Sequence, residues 1–307
     1  MRYKLLVPAL AAILSAQDRV LTSEGIPNSI FFSADGKTIT SQCRDGHIRT
    51  WDLSSGKQVK DESVKPGTIQ IASDFFAEID RKNLTARAWD LSSDRKLQLV
   101  NGIQISETAV SPDRKSFASS SAKDRSVRLY NMETGQPTKT IDDGIGGASA
   151  LVFSPDGETL VSANYDNDIR VWKTKSGELV KKVDHLTGAM FAAEYTPDGK
   201  QLIMAGLDEI IYIWDAKTFA LNRKLEGHGE TISALAISPD GRTLVTGGFD
   251  VITTRNPVKV AFWDLATGKI TKSIRAPHMV ANLKFSPDGK WVAMTSGEKE
   301  ISLISTK

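Results

Sequence analysis

One cysteine in 307 residues rules out an intrachain disulfide. Stability therefore has to come from a packed core, and 40% hydrophobic content is enough to build one. Cys43 reads as a small strand residue, not as a nucleophile. Histidine is scarce as well. His47, His185, His228 and His278 lie far apart, and no metal-type spacing joins them. Asp166-Asn167-Asp168 resembles the opening of a calcium loop, but the later Gly and Glu of such a loop are missing. Gly144-Ile145-Gly146-Gly147 does not complete a dinucleotide fingerprint. No metal and no cofactor is expected.

Charge of one sign is also lacking. Lys and Arg number 39 against 37 Asp and Glu. Arg2 and Lys4 account for the difference, so the chain after residue 16 is formally neutral. A protein that neutralises many phosphates carries a basic excess or stripe, so nucleic acid is not an expected partner. The longest uncharged apolar run, Leu5 to Leu14, is shorter than the roughly 20 residues a membrane span needs. No helical period follows residue 16, and no Pro/Gly/Ser-rich linker divides the chain.

The N-terminus has a pattern of its own. Met1-Arg2-Tyr3-Lys4 is a short positive region, Leu5 to Leu14 an apolar one, and Ala11, Ala12 and Ala16 are small cleavage positions. This is the pattern of a secretory signal, with cleavage after Ala16 favoured. The expected division is a signal peptide over 1–16 and a mature domain over 17–307, periplasmic or secreted.

What the chain does have is a repeat. Ser-Pro-Asp-Gly occurs at Ser154–Gly157, Ser238–Gly241 and Ser286–Gly289. Near copies start at Ser33, Ser111 and Thr196, and a degraded copy falls at Ser73-Asp74. A second series keeps the same phase: Trp51-Asp52, Trp89-Asp90, Trp214-Asp215 and Trp263-Asp264, with variants at Tyr130-Asn131 and Trp172-Lys173 and a faded copy at Ile304-Ser305. Both series repeat at about 42 residues. Asp-Gly between apolar runs marks a tight hairpin, because glycine accepts a positive φ. Alternating runs such as Ile48-Arg49-Thr50-Trp51 mark strands with one buried face.

On these two markers the chain resembles the WD-repeat family of β-propellers over essentially all of residues 18–307. The resemblance implies an all-β fold, a seven-bladed β-propeller of four-stranded antiparallel blades. The last repeat stops after its third strand, and Arg19-Val20-Leu21-Thr22 precedes the first without a blade of its own. We expect that N-terminal strand to complete the last blade and close the ring. The resemblance also implies buried struts of Asp, His, Ser or Thr, and Trp. Asp45, Asp124, Asp166 and Asp208 stand six residues before Trp51, Tyr130, Trp172 and Trp214. Ser41, Ser120, Ser162 and Thr246 match the hydroxyl position, and His185 and His228 the histidine. Blade six holds the whole set, as His228, Thr246, Asp250 and Trp263.

The residue before each strut Asp is expected on one face of the ring: Arg44, Lys82, Lys123, Tyr165, Leu207 and Phe249. The first three are basic and the rest apolar or aromatic, a combination suited to a protein or peptide site. The longer loop Val251 to Pro257 is expected on the same face, with Arg255 and Asn256 as further contacts. The implied function is an exported protein- or peptide-binding scaffold without catalysis, a monomer or a subunit of an envelope complex. The competing reading is a propeller enzyme, a lactonase-like hydrolase or a lyase, acting on a small molecule at the central channel. Glu230 and His278 would stand at the channel mouth, where Gly25, Gly146 and Gly188 form the rest of a rim.

Overall fold

A computed structural model describes residues 18–64, 68–72, 75–80, 85–90, 95–101, 107–121, 125–142, 148–164, 166–184, 186–250 and 257–306. For the strands between 68 and 101, and for Asp142, it describes the backbone alone. The described residues form strands and turns, without a helix.

The first strand, β1 (Arg19–Thr22), stands apart from the blade that follows it. Blade one is β2 (Phe31–Phe32), β3 (Thr38–Gln42), β4 (His47–Asp52) and β5 (Gln58–Ser63). Blade two is β6 (Thr68–Ala72), β7 (Phe75–Asp80), β8 (Thr85–Asp90) and β9 (Arg95–Asn101). Blade three is β10 (Thr108–Val110), β11 (Ser116–Ser121), β12 (Ser126–Asn131) and β13 (Pro137–Asp142). Blade four is β14 (Ala148–Phe153), β15 (Thr159–Asn164), β16 (Ile169–Lys173) and β17 (Leu179–Val183). Blade five is β18 (Met190–Tyr195), β19 (Gln201–Gly206), β20 (Ile211–Asp215) and β21 (Leu221–Leu225). Blade six is β22 (Thr231–Ile237), β23 (Thr243–Phe249), β24 (Val258–Asp264) and β25 (Lys269–Ala276). Blade seven has three strands of its own, β26 (Asn282–Phe285), β27 (Trp291–Thr295) and β28 (Glu300–Ser305), and takes β1 as its fourth.

The two sequence markers fold for local reasons. In the first hairpin of blade four the Ser154 hydroxyl donates to Asp156 at 2.5 Å and accepts the amide of Thr159 at 3.0 Å. Asp156 also accepts the amide of Glu158 at 3.0 Å. Gly157 sits at φ 71°, where a Cβ is strained. The same serine–aspartate pairing recurs at Ser33, Ser111, Ser238 and Ser286, and at Thr196 with threonine. The degraded copy at Ser73-Asp74 lies outside the described residues. The aspartate of Trp-Asp caps the outer hairpin. Asp215 and Asp264 each accept the amide three residues on, at 2.7 Å. The described tryptophans of this marker are core: Trp51 and Trp263 are 1% exposed, Trp214 6%.

The core lies between blades. One apolar cluster joins blades five and six through Ile203, Ile213, Ile232 and Trp263. Others join four with five and six with seven. The hairpin turns add a second layer of contact. Gly157 stands against Pro112 of the preceding blade, Gly199 against Pro155, Gly241 against Pro197 and Gly289 against Pro239. Gly36 of blade one stands against Pro287 of blade seven, so among the described residues these turn contacts run from blade three through blade seven to blade one.

The strand expected to close the ring does so. β1 pairs antiparallel with β28, with Leu21 opposite Ile301. Leu21 is 2% exposed and packs with Ile30, Ile39, Trp51, Ala293, Ile301 and Leu303, so one cluster takes in blades seven and one. Trp51 Nε1 donates to the carbonyl of Thr22 at 3.3 Å, and Asn282 Nδ2 to that of Asn28 at 2.8 Å. A second chain cannot add to an edge that is already paired.

The internal struts depart from the family pattern. Trp172 Nε1 does donate to Ser162 at 3.1 Å, and Trp263 Nε1 to Thr246 at 2.8 Å. Beyond that the set changes. His228 turns Nδ1 to the carbonyl of Glu230 at 3.0 Å, and its buried Nε2 has no hydrogen-bond partner. The complete blade-six set is therefore not formed. In blades one and four an arginine takes the histidine's place. Arg49 grips Asp45 with two bonds, at 2.8 and 3.0 Å, and donates Nε to Asp61 at 3.0 Å. Arg170 donates to Asp166 at 2.8 Å and Asp168 at 3.2 Å. In blade five Tyr212 donates to Asp208 at 2.6 Å. Asp124 and His185 lie outside the described residues. The reason is steric and electrostatic together. A guanidinium four residues after the Asp reaches it across one turn; in blade one it satisfies both carboxylate oxygens of Asp45, and in blade four it meets Oδ2 of Asp166 alone. No histidine is then needed from the next loop, and glycine can stand there: a Cβ on Gly25 would run into the Asp45 carboxyl.

Two outcomes follow. Leu21→Ala should destabilise the protein by about 2–5 kcal/mol, as expected for a buried leucine. Val20→Ala, on the exposed side of β1, should change stability by less than about 0.5 kcal/mol. Denaturant melts of both variants check this, and equal effects would contradict the clasp. Arg49→Met should cost on the order of 2 kcal/mol, less than a fully buried pair because its aspartates are partly exposed. The hydrogen bonds from Arg49 hold the Asp45 carboxyl below its ordinary 3.8. That stabilisation is present above about pH 4 and is lost as pH falls through the lowered folded value. Parent and variant melts should therefore converge in acid, and a gap that widens below pH 4 would contradict it.

Candidate functional site

Strand direction sorts the loops. The Ser-Pro-Asp-Gly turns lie at one end of every blade. The loops from second to third strand, and from the outer strand to the next inner strand, lie at the other, here called the top. Three of the candidate residues fall on described parts of that face. Arg44 is exposed, and its Nε donates to Asn28 at 2.9 Å. Leu207 is 43% exposed. Phe249 is the last residue of β23, not a loop residue, and is half-buried. Lys82, Lys123, Tyr165, Arg255 and Asn256 lie outside the described residues.

Leu207 and Phe249 belong to a larger apolar surface. The Phe249 ring packs on Phe191, centroids 6.2 Å apart. Phe191 is the extra residue of a bulge between Met190 and Ala192 on the inner strand of blade five. At the same bulge in blades four and six stands a serine that bonds to the following blade. Ser149 donates to the carbonyl of Met190 and Ser233 to that of Val280, both at 2.7 Å. Phe191 cannot make that bond and offers a ring instead. Thr231, which faces Phe249 in register, donates to the carbonyl of Leu207 at 3.4 Å. The amide of Val280 donates to Gly248 at 3.1 Å, which brings the loop of Met279, 49% exposed, beside blade six. Phe191, Leu207, Phe249 and Met279 thus form one arc over blades five to seven. The pairing of Phe191 and the exposure of Met279 were missed from sequence. Comparing the residue five before each turn motif would have found Phe191.

The rim residues of the enzyme reading are placed differently. Glu230 accepts the amide of Lys259 at 2.6 Å and is ion-paired to Arg275. Both carboxylate oxygens are thus used within blade six. A pocket of about 440 Å³ opens beside them, lined by Glu230, Asp250, Pro257 and Arg275. His278 pairs with Glu298 of its own blade at 2.6 Å. Gly25 and Gly188 pack on Asp45 and on Leu207 and Asp208, so they serve the struts and not a rim. Gly146 lies outside the described residues.

The inner strands carry titratable groups that the sequence reading did not single out. Burial pushes Glu107, just before β10, up to about 7. Burial also raises Glu194 on β18, against the pull of Lys284 from blade seven. Burial lowers His228, which is neutral at pH 7. Among the described residues no group of three His, Cys, Asp or Glu side chains could hold a metal ion. No described helix is long and apolar enough to cross a membrane.

Comparison with known proteins agrees with this architecture. The family model described as "WD domain, G-beta repeat" matches residues 17–52, 135–173 and 219–250. Each match starts at the outer strand of one blade and runs into the next, the same one-strand offset that leaves β1 to close the ring. An uncharacterized WD repeat-containing protein of Synechocystis is 35% identical over 151 residues, 45% of this chain and 41% of that one. Autophagy-related protein 16 of Arabidopsis thaliana is 28% identical over 158 residues, 48% of this chain and 30% of its own. The periodic tryptophan protein 2 homolog of Dictyostelium discoideum is 24% identical over 149 residues, 45% of this chain and 16% of its own. The chain matches less than half the length of each of these relatives. Seven four-stranded sheets, recurrent Trp-Asp and Asp-Gly turns and three matched regions carry one conclusion: the fold is an all-β propeller, and the matched regions are WD repeats, which supports a WD-repeat family.

Proposed function

We propose that this protein is an exported scaffold that binds a protein or peptide on its top face and catalyses no reaction. The observation that carries the proposal is the apolar arc of Phe191, Leu207, Phe249 and Met279. Leu207 and Met279 are among the most exposed large apolar side chains described, and their loops flank, on the same face, the blade-six strand end where Phe249 packs on Phe191. Contiguous exposed apolar surface of this kind marks an interaction site. Its aromatic members are the residue types that anchor interfaces. WD-repeat domains in general serve as platforms for protein partners, which fits the reading.

The catalytic alternative has less support. Glu230 and His278 are each tied to a neighbour in their own blade. Nothing described brings them together as an acid–base pair. Export is supported by the N-terminal pattern of Arg2, Lys4 and the apolar run that follows.

The test is crosslinking capture from the envelope fraction of the native cell, with the retained protein sequenced from its N-terminus. The bait is the parent protein or a Leu207→Ala, Phe249→Ala, Met279→Ala variant shown to melt cooperatively. The proposal predicts a mature start at Gln17 and a partner held by the parent and lost by the variant. Equal capture by both would move the site off this arc. An intact Met1 in the cytosol would overturn export.

A further inference from the structure

We propose that the arc over blades five to seven docks a partner segment in which an aliphatic or aromatic side chain is flanked by lysine or arginine. This rests on the scaffold reading above and adds the chemistry of the partner.

The apolar half of the argument is the arc itself. Phe191 replaces a serine that elsewhere ties one blade to the next, so an inter-blade bond is given up where the ring is shown. The flanking half is charge. The described top loops around the arc are 184 and 186–189, 207–210, 226–230, 250 and 257, 277–281 and 296–299. They carry Asp184, Asp208, Glu209, Glu226, Glu230, Asp250 and Glu298. Against these seven carboxylates stand Lys299, His278 and the buried His228, whose pKa burial lowers.

Some of this charge is met from the strands. Arg275 pairs with Glu230, Lys182 with Asp184, and His278 with Glu298. Among the described residues Asp208 is held by the hydroxyls of Thr187 and Tyr212 and the amide of Ile210, and by no ion pair. Glu209 and Glu226 are exposed and have no ion pair among the described residues. The turn after Leu207 therefore presents unneutralised acid next to the apolar surface. A ring of like charge repels nucleic acid and anionic lipid and steers a basic partner toward the patch. The chain as a whole is nearly neutral, so this local excess is a property of the described loops around the arc and not of the composition.

The experiment is a random dodecapeptide display selection on the full chain. Enriched peptides are then synthesised with a fluorescent label and titrated by anisotropy. Two variants are compared with the parent: Glu209→Lys with Glu226→Lys, both exposed, and Leu207→Ala with Met279→Ala. The enriched sequences should carry Lys or Arg beside an apolar residue. Binding should weaken at least tenfold in each variant and should fall with rising salt. Enrichment of neutral or acidic sequences, still lost on Leu207→Ala with Met279→Ala, would overturn the charge inference and leave the scaffold reading standing. Binding indifferent to that apolar variant would overturn both. A selection that enriches nothing would overturn the charge inference, and the capture experiment above would then decide the scaffold reading alone.

Discussion

The pairing of β1 with β28 is the constraint on which the rest of this molecule depends. A blade alone leaves both flat faces exposed, and only a complete ring buries them all. Here the first strand of the domain is the last strand of the last blade, so closure cannot be completed by any local folding event. Leu21 sits at the point where blades seven and one share their apolar cluster. Loss of that contact would open two faces and an edge at once, which gives one strand of four residues an influence beyond its size.

Closure also explains how the top face can afford its irregularities. Rigid turns, stacked glycine on proline around the opposite end, fix the spacing of the blades. Inter-blade bonds from Ser149, Ser233 and Asn282 add to this near the inner strands. With the ring held in these ways, blade five tolerates Phe191 at a bonding position. Blades one and four tolerate arginine where the family pattern has histidine. Variation of this kind is expected where a fold serves as a frame and its loops carry the differences.

The ring was legible in the sequence because its markers are local. Ser-Pro-Asp-Gly and Trp-Asp each make their own turn through a side chain bonded two to five residues away, so spacing alone reveals the blades. The clasp was legible by counting, since one strand lacked a blade and one blade lacked a strand. The struts were only half legible. Asp45 and Asp166 were found by their distance from tryptophan, but their partners Arg49 and Arg170 were not, and Arg49 was read as an ordinary alternating strand residue. The i, i+4 spacing from aspartate to arginine was the signal, and it was present. The arc was partly legible: Leu207 and Phe249 came from the position before the strut Asp. Phe191 and Met279 come from another strand and another loop. Only the register between blades brings them beside Phe249, and register across blades is not written in any single repeat.

Native-state hydrogen exchange on β1 and β28 tests the closed ring most directly. If the clasp holds the molecule together, the amides of Leu21 and Ile301 exchange only through the same global opening that exposes β26 and β27. Their protection should then match and fall together in denaturant. Rapid exchange of β1 with β26 and β27 still protected would show a ring that stands without its clasp, and would contradict this account.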